Sequence, residues 1–158
     1  MKTKALALLS TALGVLVLGG VAVMASASYG FTSSRVATGT LATPAEVSYQ
    51  GIEFSTEAPT DVVTLRVTFD PAGYSGWHMH PGLVVVVVIE GSVINQIGCH
   101  ATPYGVGQSF IEPPMSVGQV KNASTTTKAV TIATLVVPKG SALRIEALAP
   151  NCTTPTDD

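Results

Sequence analysis

Charged side chains are scarce in this chain of 158 residues, since Asp, Glu, Lys and Arg together make up 11% of it. Eight basic residues stand against ten acidic ones, and the formal net charge is −2 at pH 7. Nothing in this balance offers the cluster of cations that neutralises a phosphate backbone. The composition therefore argues against a nucleic acid as the partner.

Helical periodicity is also missing, because no segment after residue 60 repeats its apolar residues at helical spacing. Short β-rich segments recur there instead, at intervals of roughly ten residues, with Gly and Pro between them. The length suits one domain with a real core. This pattern predicts an all-β sandwich or barrel over residues 61–149, with neither an internal repeat nor a second domain.

Two segments of this region carry the strand signal most clearly. In "VVTLRVTF", residues 62–69, apolar and polar side chains alternate, which is typical of a half-buried strand. The segment "LVVVVVIE", residues 83–90, is rich in β-branched side chains and predicts a strand buried on both faces. Residues 28–60 show no sustained period, and we interpret them as a leader segment with one short strand near "EVSYQGIEF".

The N-terminus has the features of an export signal. Lys2 and Lys4 precede an apolar run at residues 5–23, and Ala25-Ser26-Ala27 provides the small residues that signal peptidase accepts. We predict a signal helix that is cut after Ala27, which removes two lysines and shifts the net charge from −2 to −4. The run is long enough to span a bilayer, so a retained anchor at residues 5–25 is the alternative. No cysteine follows the signal, so a lipoprotein modification is not supported.

The chain has two cysteines, Cys99 and Cys152, and so one possible intramolecular disulfide. In an exported protein that bond is favoured, and it would tie down the C-terminal tail, residues 150–158. Two free thiols or an intermolecular bond are the alternatives.

His78 and His80 are two of only three histidines in the sequence. On an extended strand they point to one face and Met79 to the other. Two imidazoles on one face can chelate a transition metal, although protein sites for zinc, iron, manganese or copper usually have three or four ligands. The alternative is a solvated strand end or a hydrogen-bonded pair near a cleft.

Two longer motifs resemble those of the cupins, a family of small β-barrels. In "GYSGWHMHPGLVVVVVIEG", His78 and His80 fit the H-x-H pair of the first cupin motif, and Gly91 fits its closing glycine. "GQSFIEPPMSVGQVKN" resembles the second motif, with Gly107, Pro113 and Asn122 in place. The resemblance implies a single jelly-roll barrel, also called a double-stranded β-helix.

The chain is also similar to a narrower group, the small exported bacterial cupins with one domain. In these proteins a cysteine near the C-terminus can pair with one after the hairpin. The resemblance therefore implies the Cys99–Cys152 disulfide, in agreement with the argument from the even number of cysteines.

The sequence departs from the cupin pattern at the ligand positions. Family metal sites typically use three histidines and one glutamate, yet Val84 stands at the glutamate position and Gly118 at the third histidine. Met115 replaces a motif glycine. We expect Val84, Val86 and Val88 to point into the barrel and make that wall apolar, which implies a degenerate metal site.

Other residues are candidates to complete the site or its pocket. Glu112 lies before a Pro-Pro turn and could reach the barrel mouth, and Met115 would supply a soft sulfur that suits copper. Asn122 falls at a motif position inside the barrel. Glu90 is expected to be too distant, and His100 is expected to lie on the surface.

These features lead to a small-ligand-binding or non-catalytic barrel as the first hypothesis. The alternatives are a metal-dependent dioxygenase or isomerase, and an exported copper- or nickel-binding protein that uses His78 and His80. The candidate cofactor is a divalent transition metal: Fe, Mn, Cu, Ni or Zn. A membrane contact is expected only through an uncut N-terminal segment, and a homodimer could form through Val85, Val87 and Ile89.

Overall fold

The computed structural model describes residues 26–152, and these residues form β-strands and no helix. The predicted signal helix and the end of the predicted C-terminal tail, residues 153–158, lie outside the described residues. The strands are β1 (Tyr29–Leu41), β2 (Ala45–Tyr49), β3 (Ile52–Thr56), β4 (Thr60–Tyr74), β5 (His78–Met79), β6 (Leu83–Glu90), β7 (Ser92–Ile97), β8 (His100–Gly105), β9 (Ser109–Glu112), β10 (Gly118–Asn122), β11 (Ala129–Pro138) and β12 (Ile145–Glu146).

Ten of the strands form one sheet that curls into a nearly closed barrel. Its main path runs β12-β5-β10-β4-β11-β6-β9, while β1 pairs with β4, and β7 joins β10 to β8. β2 and β3 form a separate hairpin. The all-β prediction is confirmed, and the architecture is the barrel rather than the sandwich.

The core inside the barrel consists of apolar side chains from facing strands. Alternation along β4 buries Val63, Val67 and Phe69, as its sequence predicts. The other buried members of this cluster are Val84, Val86, Val88, Val93, Phe110, Val120, Ala129, Ala133, Leu135 and Val137. One continuous cluster of this kind fixes the strands around a single interior.

The valine-rich strand β6 was predicted to be buried on both faces, and this is wrong. Val84, Val86 and Val88 are buried, whereas Val85, Val87 and Ile89 are 37–40% exposed. The barrel wall is a single layer of strands, so only the side chains that point inward are shielded from solvent. Burial alternates because of this geometry, although the sequence of the strand does not alternate.

Residues 28–60 contain three strands instead of the single short one expected. β1 pairs with β4 from Tyr29↔Tyr74 to Leu41↔Thr60, and β2–β3 turn at Gln50-Gly51 with positive φ at both residues. β1 is mostly exposed. It is held by backbone pairing, which leaves little apolar periodicity in a sequence, so the pattern could not reveal it.

The sulfur atoms of Cys99 and Cys152 lie at disulfide distance, with their Cα atoms 5.6 Å apart. This supports the predicted pairing and places Asn151-Cys152 beside the turn between β7 and β8. Within residues 26–152, no helix has the length and apolar character needed to cross a membrane.

Candidate metal centre

His78 and His80 lie at one end of the barrel, where the short strand β5 crosses between β10 and β12. Gly76 turns the chain into this strand with φ of 72°, in the left-handed region. Glycine adopts this conformation without the steric penalty that a Cβ would bring. The two imidazole rings both line the barrel cavity, with centroids 4.8 Å apart and nearly perpendicular planes. The prediction that they share one face is confirmed.

Backbone carbonyls orient both imidazole rings. His78 Nδ1 lies 2.8 Å from the oxygen of Gly76, and His80 Nδ1 bonds the oxygen of Leu143. A carbonyl oxygen only accepts, so each Nδ1 donates a proton. The lone pair of each neutral ring is then on Nε2. Histidines that ligate metals are typically held in this way.

Glu112 brings a carboxylate close to the two histidines. It is the last residue of β9 and lies opposite Val84 on β6. Its Oε2 is 3.2 Å from His80 Nε2, and the residue is only 7% exposed. Candidate ligand atoms of His78, His80 and Glu112 all lie within 4.8 Å of one another. The sequence considered Glu112 as a substitute, and the structure brings it to the histidines.

Burial lowers the pKa of His78 to about 4. The positive charge of Arg144 acts in the same direction as burial, while the Gly76 carbonyl and the Glu112 carboxylate oppose the shift. His78 is therefore a neutral imidazole at neutral pH, the form in which a histidine binds a metal.

Gly118, at the position of a third histidine, is paired with His78 across β10 and β5. A Cβ at Gly118 would lie 2.8 Å from Ile97 Cδ1 and 2.9 Å from the backbone oxygen of Gln96. Gly118 is therefore a packing position and does not line the cavity, contrary to its inclusion among the pocket candidates. Val84 does line the cavity.

Met115 and Asn122 were also pocket candidates, and neither lines the cavity. Met115 is 57% exposed, so its sulfur is not directed to the histidines. Asn122 is buried, but its amide nitrogen donates to the backbone oxygens of Asp70 and Thr127, while its Oδ1 accepts from Ser124 N. The amide is used to hold backbone, which explains its burial without a ligand.

Glu90 and His100 lie where they were expected. Glu90 is exposed at the end of β6 and pairs with Lys128 at 3.8 Å. His100 is exposed at the start of β8.

The cavity beside the three side chains has a volume of about 340 Å³. Most of its wall is apolar, formed by alternating residues of β4, β6 and β11. Sequence reasoning missed five polar residues of the wall: Ser33, Arg35, Ser75, Thr131 and Arg144. Ser33 and Arg35 follow Phe31 at alternate positions of β1, as expected for side chains on one face of a strand. The sequence analysis predicts a leader segment here, so this alternation could not identify them as wall residues. Arg144 is far from both motifs in sequence.

Residues 65–138 match the model of the cupin domain family. The chain therefore contains a cupin domain at residues 65–138. A cupin-2 domain structure from Rhodospirillum rubrum superposes with a TM-score of 0.53 at 12% identity, covering 76% of this chain and 67% of its own. A cupin-like protein from Thermotoga maritima gives 0.50 at 22% identity, covering 56% and 65%. These likenesses concern the fold.

An oxalate oxidase in complex with the substrate analogue glycolate is more distant, with a TM-score of 0.44 at 22% identity and coverage of 47% of this chain and 41% of its own. This cupin spans less than half of the length of the oxalate oxidase chains that it matches. No curated protein matches the chain.

Proposed function

We propose that this cupin holds one divalent transition metal through His78, His80 and Glu112, and that a small molecule binds beside the metal in the cavity. The main support for this proposal is the buried carboxylate of Glu112, whose Oε2 lies 3.2 Å from His80 Nε2. Two nitrogen donors and one oxygen donor make the set that non-haem iron sites use.

The hydrogen bonds of His80 test whether a cation fits at this position. Its Nδ1 carries a proton, because it faces the Leu143 carbonyl, so Nε2 of the neutral ring presents a lone pair to Glu112. A lone pair and a carboxylate oxygen at 3.2 Å repel unless a cation lies between or beside them. Within residues 26–152, no other side chain or backbone group donates a hydrogen bond to the Glu112 carboxylate, and a buried carboxylate without compensation is costly. A proton or a metal ion must therefore compensate the pair, and the third donor, His78, favours the metal.

The donor set favours iron(II), for which a set of two histidines and one carboxylate leaves coordination positions open. Bound there, iron would supply dioxygen or substrate activation, so the proposed activity is a metal-dependent oxidoreductase acting on a small molecule. The backbone carbonyls of Gly76 and Leu143 orient the two histidine ligands. The apolar wall excludes water from the ligand.

Metal titration of the metal-free protein under anaerobic conditions tests this function. We expect one Fe²⁺ per chain, and an affinity that falls by at least about tenfold in Glu112→Gln, since even outer-shell changes cost 10–100-fold. Glu90→Gln is the matched control, because Glu90 is an exposed glutamate outside the cavity. Its affinity should equal that of the parent protein.

Two other results would replace the proposal. No binding of Fe²⁺, Mn²⁺ or Zn²⁺ would leave a metal-free ligand-binding barrel. Tight Cu²⁺ or Ni²⁺ binding that is insensitive to Glu112→Gln would indicate a sequestration site built on the two histidines alone.

We also propose that the chain is exported, by a signal that is cut after Ala27. The cysteine pair at disulfide distance supports an oxidising compartment. Intact-mass measurement of the protein from a secreting host tests the cut. A mass that includes residues 1–27 would instead indicate the retained anchor.

A further inference from the structure

Arg144 lines the cavity that contains the candidate metal centre, and one nitrogen of its guanidinium has no hydrogen-bond partner within the described residues. Glu146 occupies one edge of its guanidinium, through contacts to Nε and to Nη2, the latter at 2.8 Å. The remaining nitrogen, Nη1, is buried and has no hydrogen-bond partner within the described residues. A buried guanidinium donor without an acceptor is uncommon and costly, and it marks a position where an acceptor would be stabilised.

The charges around the cavity favour an anion as that acceptor. Arg35 and Arg144 both line the cavity, and Glu112 is the one acidic residue among the lining residues. If a divalent cation is bound, its charge outweighs that of Glu112, and because Glu146 balances Arg144, a net positive charge remains from the cation and Arg35. Guanidinium groups recognise carboxylates better than lysines do, because the planar fork fits two oxygens.

The rest of the cavity selects for an apolar body. Phe31 and Phe69 are register partners on β1 and β4, and both line it, as do Leu65, Leu135 and Val86. A volume of about 340 Å³ is at the small end for ligand pockets.

We propose that the ligand of this cavity is a small monocarboxylate with an apolar body, whose carboxylate is recognised by Arg144 next to the metal centre. This inference rests on the proposed function for the role of the ligand as substrate. The anion site itself consists of side chains that do not include the three proposed metal ligands.

Calorimetric binding of matched acids and amides tests the inference. The probes are acetate, isovalerate and benzoate, each paired with its neutral amide. We expect at least one acid to bind at least tenfold more tightly than its amide, and Arg144→Gln to abolish that preference without weakening amide binding. Arg144→Lys should retain part of it, because the charge remains while the fork is lost. Arg66→Gln is the matched control: Arg66 is exposed on β4 and does not line the cavity, so the preference should persist.

Each titration is run on metal-free and on Zn²⁺-loaded protein, which separates the two proposals. Acid preference that depends on Arg144 in a protein that binds no metal would support the anion site and overturn the metal function. Metal binding without any acid preference would overturn the anion site alone. A preference that survives Arg144→Gln, or that Arg66→Gln also removes, would show that Arg144 is not the recognition group. Thermal unfolding of each variant confirms that it is folded.

Discussion

Val84 on β6 and Glu112 on β9 are direct partners in the barrel wall. Both are buried, and both line the cavity beside the histidines. The cupin motif places a glutamate where Val84 stands, and this chain carries a carboxylate on the neighbouring strand instead. Cβ atoms of such partners lie roughly 5 Å apart, within the reach of a glutamate side chain. One carboxylate can thus approach the same centre from either strand.

Moving the carboxylate from β9 back to β6 should restore a metal site. Glu112→Val alone should lower Fe²⁺ affinity by about 100-fold or more, because a ligand is lost rather than an outer partner. Val84→Glu combined with Glu112→Val should recover at least tenfold of that loss. Isothermal titration of the metal-free variants under anaerobic conditions measures both.

Val85→Glu in the Glu112→Val background is the control for this exchange. Val85 is the next residue of β6 and points to the exposed side of the barrel. Recovery by this variant as well would mean that added negative charge, rather than a ligand at the centre, restores binding.

The stability of the metal-free protein should fall as the pH is lowered from about 6.5 to about 4, because burial holds the pKa of His78 near 4. In this window His78 is protonated in the unfolded chain and neutral in the folded chain. The free energy of unfolding therefore falls as the pH is lowered. Below the folded pKa the loss levels off at about 3 kcal/mol for this residue. Urea unfolding between pH 4 and pH 8 measures it.

Comparison of two histidine variants isolates the contribution of His78. His78→Gln should flatten the pH dependence by this amount, whereas His100→Gln, at an exposed position, should leave it unchanged. An identical pH dependence in the parent and in His78→Gln would contradict the assignment.

Asn122→Ala should destabilise the barrel without changing ligand or metal affinity. The amide joins β4 to the segment before β11 by donating to Asp70 and Thr127 carbonyls, which the variant leaves without that donor. We expect a loss of about 2 kcal/mol in urea unfolding. Asn151→Ala, at an exposed asparagine, should change the free energy of unfolding little. Reduced metal affinity in folded Asn122→Ala would instead indicate that the residue belongs to the site.

Removal of the cysteine pair should lower the free energy of unfolding by about 3–4 kcal/mol on the chain-entropy model. Cys99 and Cys152 are separated by 53 positions, so the bond closes a long loop. Cys99→Ser with Cys152→Ser, compared with the oxidised parent in urea, measures the difference. Thiol titration of the denatured parent is the direct check: two reactive thiols without reductant would contradict the bond.

Local periodicity predicted much of the barrel. The alternation in β4 determined which side chains face inward, and the spacing of His78 and His80 placed them on one face, because successive side chains of a strand point to opposite sides. The same rule correctly placed Val84, Val86 and Val88 inside. The motif resemblance supplied the barrel architecture.

The sequence did not allow the register and the backbone pairing of the strands to be predicted. Glu112 reaches His80 only because β9 pairs with β6 in one register, and a shift by one residue would turn the carboxylate outward. β1 joins the sheet through backbone hydrogen bonds that its side chains do not encode, and it brings Arg35 to the cavity. Arg144 lies at the cavity because the chain returns beside β5, where β12 pairs with it.

The sequence by itself thus determined a β-barrel with two histidines on one inner face, because side-chain alternation is a local property of a strand. The tertiary structure alone decided which carboxylate meets them and which arginine borders the cavity. Those neighbours are far apart in the chain, and only strand pairing and closure of the barrel bring them together.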